Sequence, residues 1–183
     1  MREVWITGAA RTAIGDFGGG LKDVAPIDLG ATVVKAVLQR SGVDGAQVGH
    51  LAFGHVIHTE PRDMYLSRVV ALNGGLPQSS AAFNVNRLCG SGLQAIISSA
   101  QSILLGDTEM AIGGGAESMS NAPFYSTNWR WGLGQGNMTV NDGLITGRLT
   151  AGGKNFPVPG GMLETAENLR RDYQITRAAQ DEF

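Results

Sequence analysis

The 183-residue sequence contains one cysteine, Cys89, and three histidines, His50, His55 and His58. A single cysteine excludes an intrachain disulfide and a cysteine-rich zinc site, and it fits a reducing compartment. Charged residues make up only 16% of the chain, and 14 basic residues nearly balance 16 acidic ones. No basic run therefore supplies an electrostatic footprint for nucleic acid. Low charge beside 43% hydrophobic residues also argues against intrinsic disorder. No apolar run approaches the roughly 18 residues that span a bilayer. The opening residues 1–8 have the pattern of a short strand, not of a charged segment followed by an apolar core and a cleavage site. These absences lead to the expectation of a soluble, globular, cytoplasmic chain without a nucleic-acid or membrane partner. The length is that of one ordinary domain with a real core.

Glycine is what the sequence has in excess. Its 27 residues are about twice the usual ~7% share, and they follow no collagen-like period. Much of the excess punctuates an alternation of strand-like and helix-like segments. Val4–Thr7 is a short apolar run ending at Gly8. Pro26 stands at a first helical position, and Leu29, Val33, Ala36 and Val37 keep helical spacing until Ser41-Gly42. Leu51–Ile57 reads as a strand, Asp63–Leu72 as a helix ending at Asn73-Gly74-Gly75, and Ala81–Val85 as a strand. A long helix follows Cys89, with Leu93, Ile96, Ile97, Ala100 and Leu104 at helical spacing and Gly106 at the C-terminal cap position. Glu109–Ile112 is a fourth strand, running into three glycines. The alternation predicts an α/β fold of βαβαβαβ order with a mostly parallel sheet. Past Ser118 it breaks, so residues 1–118 are read as an α/β core and 119–183 as the start of a glycine-rich loop domain. Nine glycines fall between Gly132 and Gly161, a stretch too long for an ordinary connection. Helical spacing resumes over Thr165–Tyr173, and Thr176 suits an N-cap.

The segment Asn84–Ala95, NVNRLCGSGLQA, carries the chemistry. It places Cys89 at a strand-to-helix junction. A helix start carries roughly half a positive charge and favours an anion, so a thiolate there is a better nucleophile at neutral pH. Gly90 and Gly92 clear the approach to the sulfur and leave backbone N–H groups for a developing oxyanion. Two other readings of the same residues stand beside this one. A lone cysteine is often a small buried hydrophobe. Gly90-x-Gly92-x-x-Ala95 also fits the dinucleotide-binding pattern, although four residues separate its first glycine from the strand.

The residues VNRLCGSGLQAI, with GGGAESMS (Gly113–Ser120) one strand later, closely resemble the thiolase family, the acetyl-CoA acetyltransferases and β-ketothiolases. RTAIGDFGG (Arg11–Gly19) and TAENL (Thr165–Leu169) extend the resemblance from Val4 to Phe183. Gly54–Arg68 looks more like the broad-specificity β-ketothiolases. The resemblance implies the N-terminal half of a thiolase fold and a place in fatty acid metabolism. It implies acyl transfer between acyl-CoA and acetyl-CoA through an acyl-cysteine, with CoA esters as substrates and neither a metal nor a bound redox cofactor. Cys89 matches the family's nucleophile, its N–H matches an oxyanion donor, and Met162 matches a methionine lining the acyl pocket. The family's activating histidine, in a Gly-His-Pro motif, and its second catalytic cysteine have no counterpart here. The family's N-terminal half also closes with a strand that is not found in these residues. The expectation is therefore a half-thiolase. Its missing groups come from further sequence or a complementing C-terminal chain, within an oligomer of such subunits. The alternative is a non-catalytic half that binds acyl-CoA or a partner chain, and a ketosynthase-like condensing enzyme fits the motifs less well.

The remaining candidates are weaker. His55 and His58, three apart on a predicted strand, would face opposite ways and not converge on an ion. Glu60 and Asp63 are the nearest further ligands, too few for a structural zinc site. Gly161 stands where the family often has a histidine touching the pantetheine arm. Arg170 and Arg171 read as a solvated helix face before they read as phosphate contacts.

Overall fold

Pro26 presets the backbone for the first turn of helix α1 (Pro26–Ser41), and Gly42 ends it in the left-handed region at φ 69°. The chain then enters strand β1 (His50–Gly54). The crossover back into the sheet consists of a short 3₁₀ segment, Pro61–Tyr65, and helix α2 (Leu66–Gly74). Strand β2 (Ala81–Val85), helix α3 (Ser91–Leu105) and strand β3 (Ala111–Gly115) complete the alternation. This computed structural model describes residues 2–157 and 160–183. It divides into two compact units, Met1–Ala122 and Pro123–Phe183.

In the first unit the three strands are parallel, in the order β2-β1-β3. Along β1, Leu51 and Phe53 face the core formed with Ile27, Val34, Leu66, Val70 and Leu76. The alternate residues Ala52 and Gly54 face the other way. Helix α3 lies on that second face through its small side chains, since Ser91, Ala95 and Ser99 are its buried residues. The approach is close enough to require glycine in the sheet. A Cβ at Gly113 would fall 2.6 Å from the Ile96 Cα, and one at Gly54 would fall 2.6 Å from the Ser91 carbonyl carbon.

Several expectations need correction. Val4–Thr7 joins no ladder. On either side of it Arg2 bonds to Glu109 at 2.6 Å and Arg40 of α1 donates to the Ala9 carbonyl at 3.0 Å. An apolar strand is stabilised by cover on its faces, and Trp5 and Ile6 remain 77% and 84% exposed. The second predicted strand ends at Gly54, three residues early, because its next residues turn to bond elsewhere. The long α3 stripe is not the face packed on the sheet: Leu93, Ile96, Ile97 and Leu104 are exposed, and the small residues are buried. The stretch Leu88–Leu105 is also long and apolar enough to cross a membrane by length and composition, contrary to the expectation of no such run.

In the second unit, the glycine-rich stretch is not wholly irregular. Strands β4 (Phe124–Tyr125) and β5 (Asn141–Asp142) pair antiparallel. Helix α4 (Gly143–Leu149) follows, capped by Asp142 accepting from the Leu144 and Ile145 N–H groups. Helix α5 (Gly161–Asp172) begins four residues before the predicted start, and Thr176 caps helix α6 (Arg177–Glu182) as expected.

Candidate functional site

Parallel strands present all their carboxyl ends on one rim, the usual place for a site in an open α/β sheet. The register puts Gly54, Val85 and Gly115 level with one another. The next residues remain tied to that rim: the His55 N–H donates to the Val85 carbonyl at 3.0 Å, and the Ala116 N–H donates to the Gly54 carbonyl at 3.1 Å. Cys89 lies four residues beyond β2 on the same rim.

Cys89 occupies a tight turn and is exposed. It comes one residue before the N-cap of α3, Gly90, so the helix starts slightly later than the sequence suggested. The turn is overdetermined. The Gly90 and Ser91 N–H groups donate to the Arg87 and Leu88 carbonyls at 3.1 and 3.0 Å. The buried Ser91 hydroxyl accepts from the Arg87 N–H at 2.8 Å and donates to the Leu88 carbonyl at 2.6 Å. Asn86 accepts from the Leu88 N–H at 3.1 Å. Leu88 is held at φ 49°, a conformation that costs a non-glycine residue about 1–2 kcal/mol. These bonds fix the turn on which Cys89 is exposed. They also correct one expectation. The Gly90 N–H is committed to Arg87 and is not free for an oxyanion. The Cys89 and Gly92 N–H groups meet no hydrogen-bond acceptor among the described residues.

A second cluster sits on the rim, and sequence reasoning did not assemble it. The buried His55 Nδ1 lies 2.7 Å from the Ala116 carbonyl oxygen and 3.3 Å from the Glu117 Oε1. Its Nε2 faces the Asp63 Oδ2 at 3.6 Å. Glu117 also accepts from the Val56 and Ile57 N–H groups at 2.9 and 3.0 Å. Asp63, fully buried, accepts from the Thr59 N–H and hydroxyl, both at 2.7 Å, and from the Glu60 N–H at 3.3 Å. Burial pushes the Asp63 carboxyl up, but the Thr59 and Glu60 donors and the neighbouring His55 outweigh it and hold it below its ordinary value. Because the strand stops at Gly54, His55 and His58 do not diverge as predicted; their rings stack at 5.2 Å and 7°. Among the described residues no group of three or more His, Cys, Asp or Glu side chains is placed to hold a metal ion.

The other candidates fall elsewhere. Met162 is the second residue of α5, in the second unit, and is 76% exposed. Arg170 and Arg171 bond to Glu167, Asn168 and Asp172 along their own helix. Glu60 pairs with Arg62. His50 lies at the opposite, amino end of β1, edge-on to Phe83. Sequence reasoning missed the role of Ser91 and the contact of Glu117 with His55, having weighed Glu117 only as the acid of the dinucleotide pattern. The available signals were a serine between the two glycines after Cys89, and an acid two residues beyond the β3 glycines.

Comparison with known proteins gives a consistent result. Residues 4–183 match the family described as "Thiolase, N-terminal domain". The chain is 55% identical over 181 residues to the β-ketothiolase BktB of Cupriavidus necator, covering 99% of this chain and 45% of that protein. It is 40% identical to the acetyl-CoA acetyltransferase of the same organism, over 100% of this chain and 45% of that one. A solved human mitochondrial 3-ketoacyl-CoA thiolase in complex with CoA superimposes with a TM-score of 0.88 at 34% identity, over 96% of this chain and 44% of that one. The Bacillus anthracis acetyl-CoA acetyltransferase does so with 0.86 at 36%, over 97% and 43%. The chain thus spans a little under half the length of the curated relatives it matches.

Proposed function

The chain belongs to the thiolase family, and from that membership we propose that it carries the nucleophile of a thiolase that transfers acyl groups between acyl-CoA and acetyl-CoA. The observation that supports this most is Cys89, exposed on a rigid turn at the carboxyl rim of the sheet and just ahead of the α3 N-terminus. The Cys89 thiolate attacks the thioester carbonyl. A new sulfur–carbon bond forms, the bond to the CoA sulfur breaks, and the departing CoA thiolate takes up a proton. The enolate of acetyl-CoA then attacks the acyl-cysteine to give a 3-ketoacyl-CoA and regenerate the thiolate; the reverse is thiolytic cleavage. Splitting the reaction divides one difficult carbon–carbon step into two easier ones. The Cys89 N–H supports the reading as an oxyanion donor, since it is not engaged by the turn. Met162 is proposed to line the acyl pocket.

General acid–base groups are needed to deprotonate the thiol and the α-carbon. The three histidines and single cysteine of these residues do not supply the family's Gly-His-Pro histidine or its second cysteine. Those groups are proposed to come from sequence beyond residue 183 or from a complementing chain in an oligomer. A cytoplasmic setting suits a mechanism that needs Cys89 as a free thiol, and fatty acid metabolism is the proposed setting for these substrates.

Incubating the chain with acetyl-CoA, alone and with a candidate C-terminal half, tests the reading by intact mass. One acetyl group gained in the mixture and lost in Cys89→Ser is the expected result. No acetylation in either preparation sinks the catalytic reading and leaves a binding-only half.

A further inference from the structure

Three buried side chains behind the rim keep hydrogen-bonding capacity that no protein group uses. The His55 Nε2 and the Asp63 Oδ2 stand 3.6 Å apart with both side chains fully buried. That spacing is too long for a direct hydrogen bond, and it is the spacing at which a bridging water is expected. Neither Nε2 nor the second carboxylate oxygen, Oδ1, has a hydrogen-bond partner among the described residues, and the same is true of the Ser67 hydroxyl at 1% exposure. Elsewhere each residue is well satisfied. The His55 Nδ1 meets the Ala116 carbonyl at 2.7 Å, the Asp63 Oδ2 takes the Thr59 and Glu60 donors, and the Ser67 N–H donates to the Asn84 Oδ1 at 2.8 Å. Asn84 and its neighbour draw the three together. The Asn84 amide donates to the Asp63 carbonyl at 3.0 Å, and the Val85 carbonyl takes the His55 N–H at 3.0 Å.

We propose that His55, Asp63 and Ser67 form a binding site for one internal water molecule, which bridges the His55 Nε2, the Asp63 Oδ1 and the Ser67 Oγ. Buried polar groups find partners in folded proteins, and a buried water typically makes about three hydrogen bonds. Water suits this set of atoms because it both donates and accepts. It donates to the carboxylate oxygen, and towards the ring nitrogen and the hydroxyl it takes whichever role is open. The bridge therefore holds for either arrangement of protons on the His55 ring. A metal ion suits the set less well, since no group of three or more His, Cys, Asp or Glu side chains among the described residues is placed to hold one. The water joins the residue directly after β1, the 3₁₀ segment Pro61–Tyr65 and helix α2. Asn84 extends the connection into β2, because its side chain bonds the Ser67 N–H and the Asp63 and Met64 carbonyls. The site is structural and makes no claim on the acyl-transfer step, so it stands or falls separately from the thiolase reading.

Two measurements on the 183-residue chain test the proposal. A crystal structure at a resolution that orders internal waters should show one density peak about 2.7–3.2 Å from each of Nε2, Oδ1 and Oγ. Crystals soaked in rubidium chloride should give no anomalous signal at that peak. A site with no peak, its three atoms bonded directly to one another, overturns the proposal. A rubidium signal at the peak also overturns it, by showing a site for a monovalent cation beside the Asp63 carboxylate. In solution, oxygen-17 magnetic relaxation dispersion counts long-lived internal waters. Ser67→Val should lower that count by one, because the valine methyl groups take the place of the hydroxyl and of the water it holds. An unchanged count in a folded Ser67→Val protein overturns the proposal. Should that variant not fold, the crystal structure of the parent decides alone.

Discussion

Ser91→Ala isolates what holds the nucleophile turn. The Ser91 hydroxyl is buried and makes two short bonds, accepting from the Arg87 N–H at 2.8 Å and donating to the Leu88 carbonyl at 2.6 Å. The Leu88 carbonyl keeps a second donor, the Ser91 N–H at 3.0 Å, but the Arg87 N–H has no replacement for the lost acceptor. Ser91→Ala gives up two bonds at about 0.5–1.5 kcal/mol each, Arg87 itself being exposed. The same bonds oppose the strain at Leu88, whose φ of 49° carries a further penalty of about 1–2 kcal/mol. A loss of about 2 kcal/mol is therefore expected in urea unfolding of the full-length protein, with a smaller loss for Asn86→Ala, whose single bond is exposed. Adding Leu88→Gly to Ser91→Ala should restore part of the stability, because glycine meets no penalty at positive φ. The alkylation rate of Cys89 by iodoacetamide should shift with Ser91→Ala, since the sulfur loses its fixed position. A Ser91→Ala protein within about 0.5 kcal/mol of the parent, the usual range for surface changes, with unchanged thiol reactivity refutes the account of the turn.

Other outcomes follow from the same geometry. Gly113→Ala should destabilise by about 1–3 kcal/mol through overpacking, because its Cβ would lie 2.6 Å from the Ile96 Cα; thermal unfolding measures it. Gly92→Ala meets nothing within 4 Å, so stability should hold or rise by up to about 1 kcal/mol from better helix propensity. Acylation of Cys89 should nevertheless slow in that variant if the thioester approaches over this backbone. Asp63 has its carboxyl held below the ordinary range, so its contribution is complete above the unfolded carboxylate value of about 3.9. That contribution is lost as pH falls through the lower folded value. Asp63→Asn should therefore lower stability at neutral pH and flatten the acid limb of the stability profile, as read by denaturant midpoints from pH 3 to 7.

Much of the first unit was legible because local signals and tertiary structure agree there. Pro26, Gly42 and Gly106 mark helix ends, and the gaps between them are filled by the expected parallel crossovers. Local reading failed where the decisive partner is distant. Val4–Thr7 has strand composition, but a ladder needs a bonded neighbour that composition does not reveal. The α3 stripe has core composition, yet the sheet glycines draw the small face inward, and only the pairing of Gly54 and Gly113 with Ser91 and Ile96 shows it. Helix α4 was hidden by Gly143 and Gly147 within it, despite a sound Asp142 cap. In the candidate site, Cys89 and its turn were visible as a contiguous motif. The His55–Glu117 contact spans sixty-two residues and becomes visible only once β1 and β3 lie side by side.

The central claim, that Cys89 carries the acyl group, is tested most directly by trapping. The chain mixed with a complementing C-terminal half, quenched in acid during turnover with acetyl-CoA and digested, should yield one acetylated peptide containing Cys89, absent in Cys89→Ser. An acetyl group found on another residue, or turnover that persists in Cys89→Ser, contradicts the account.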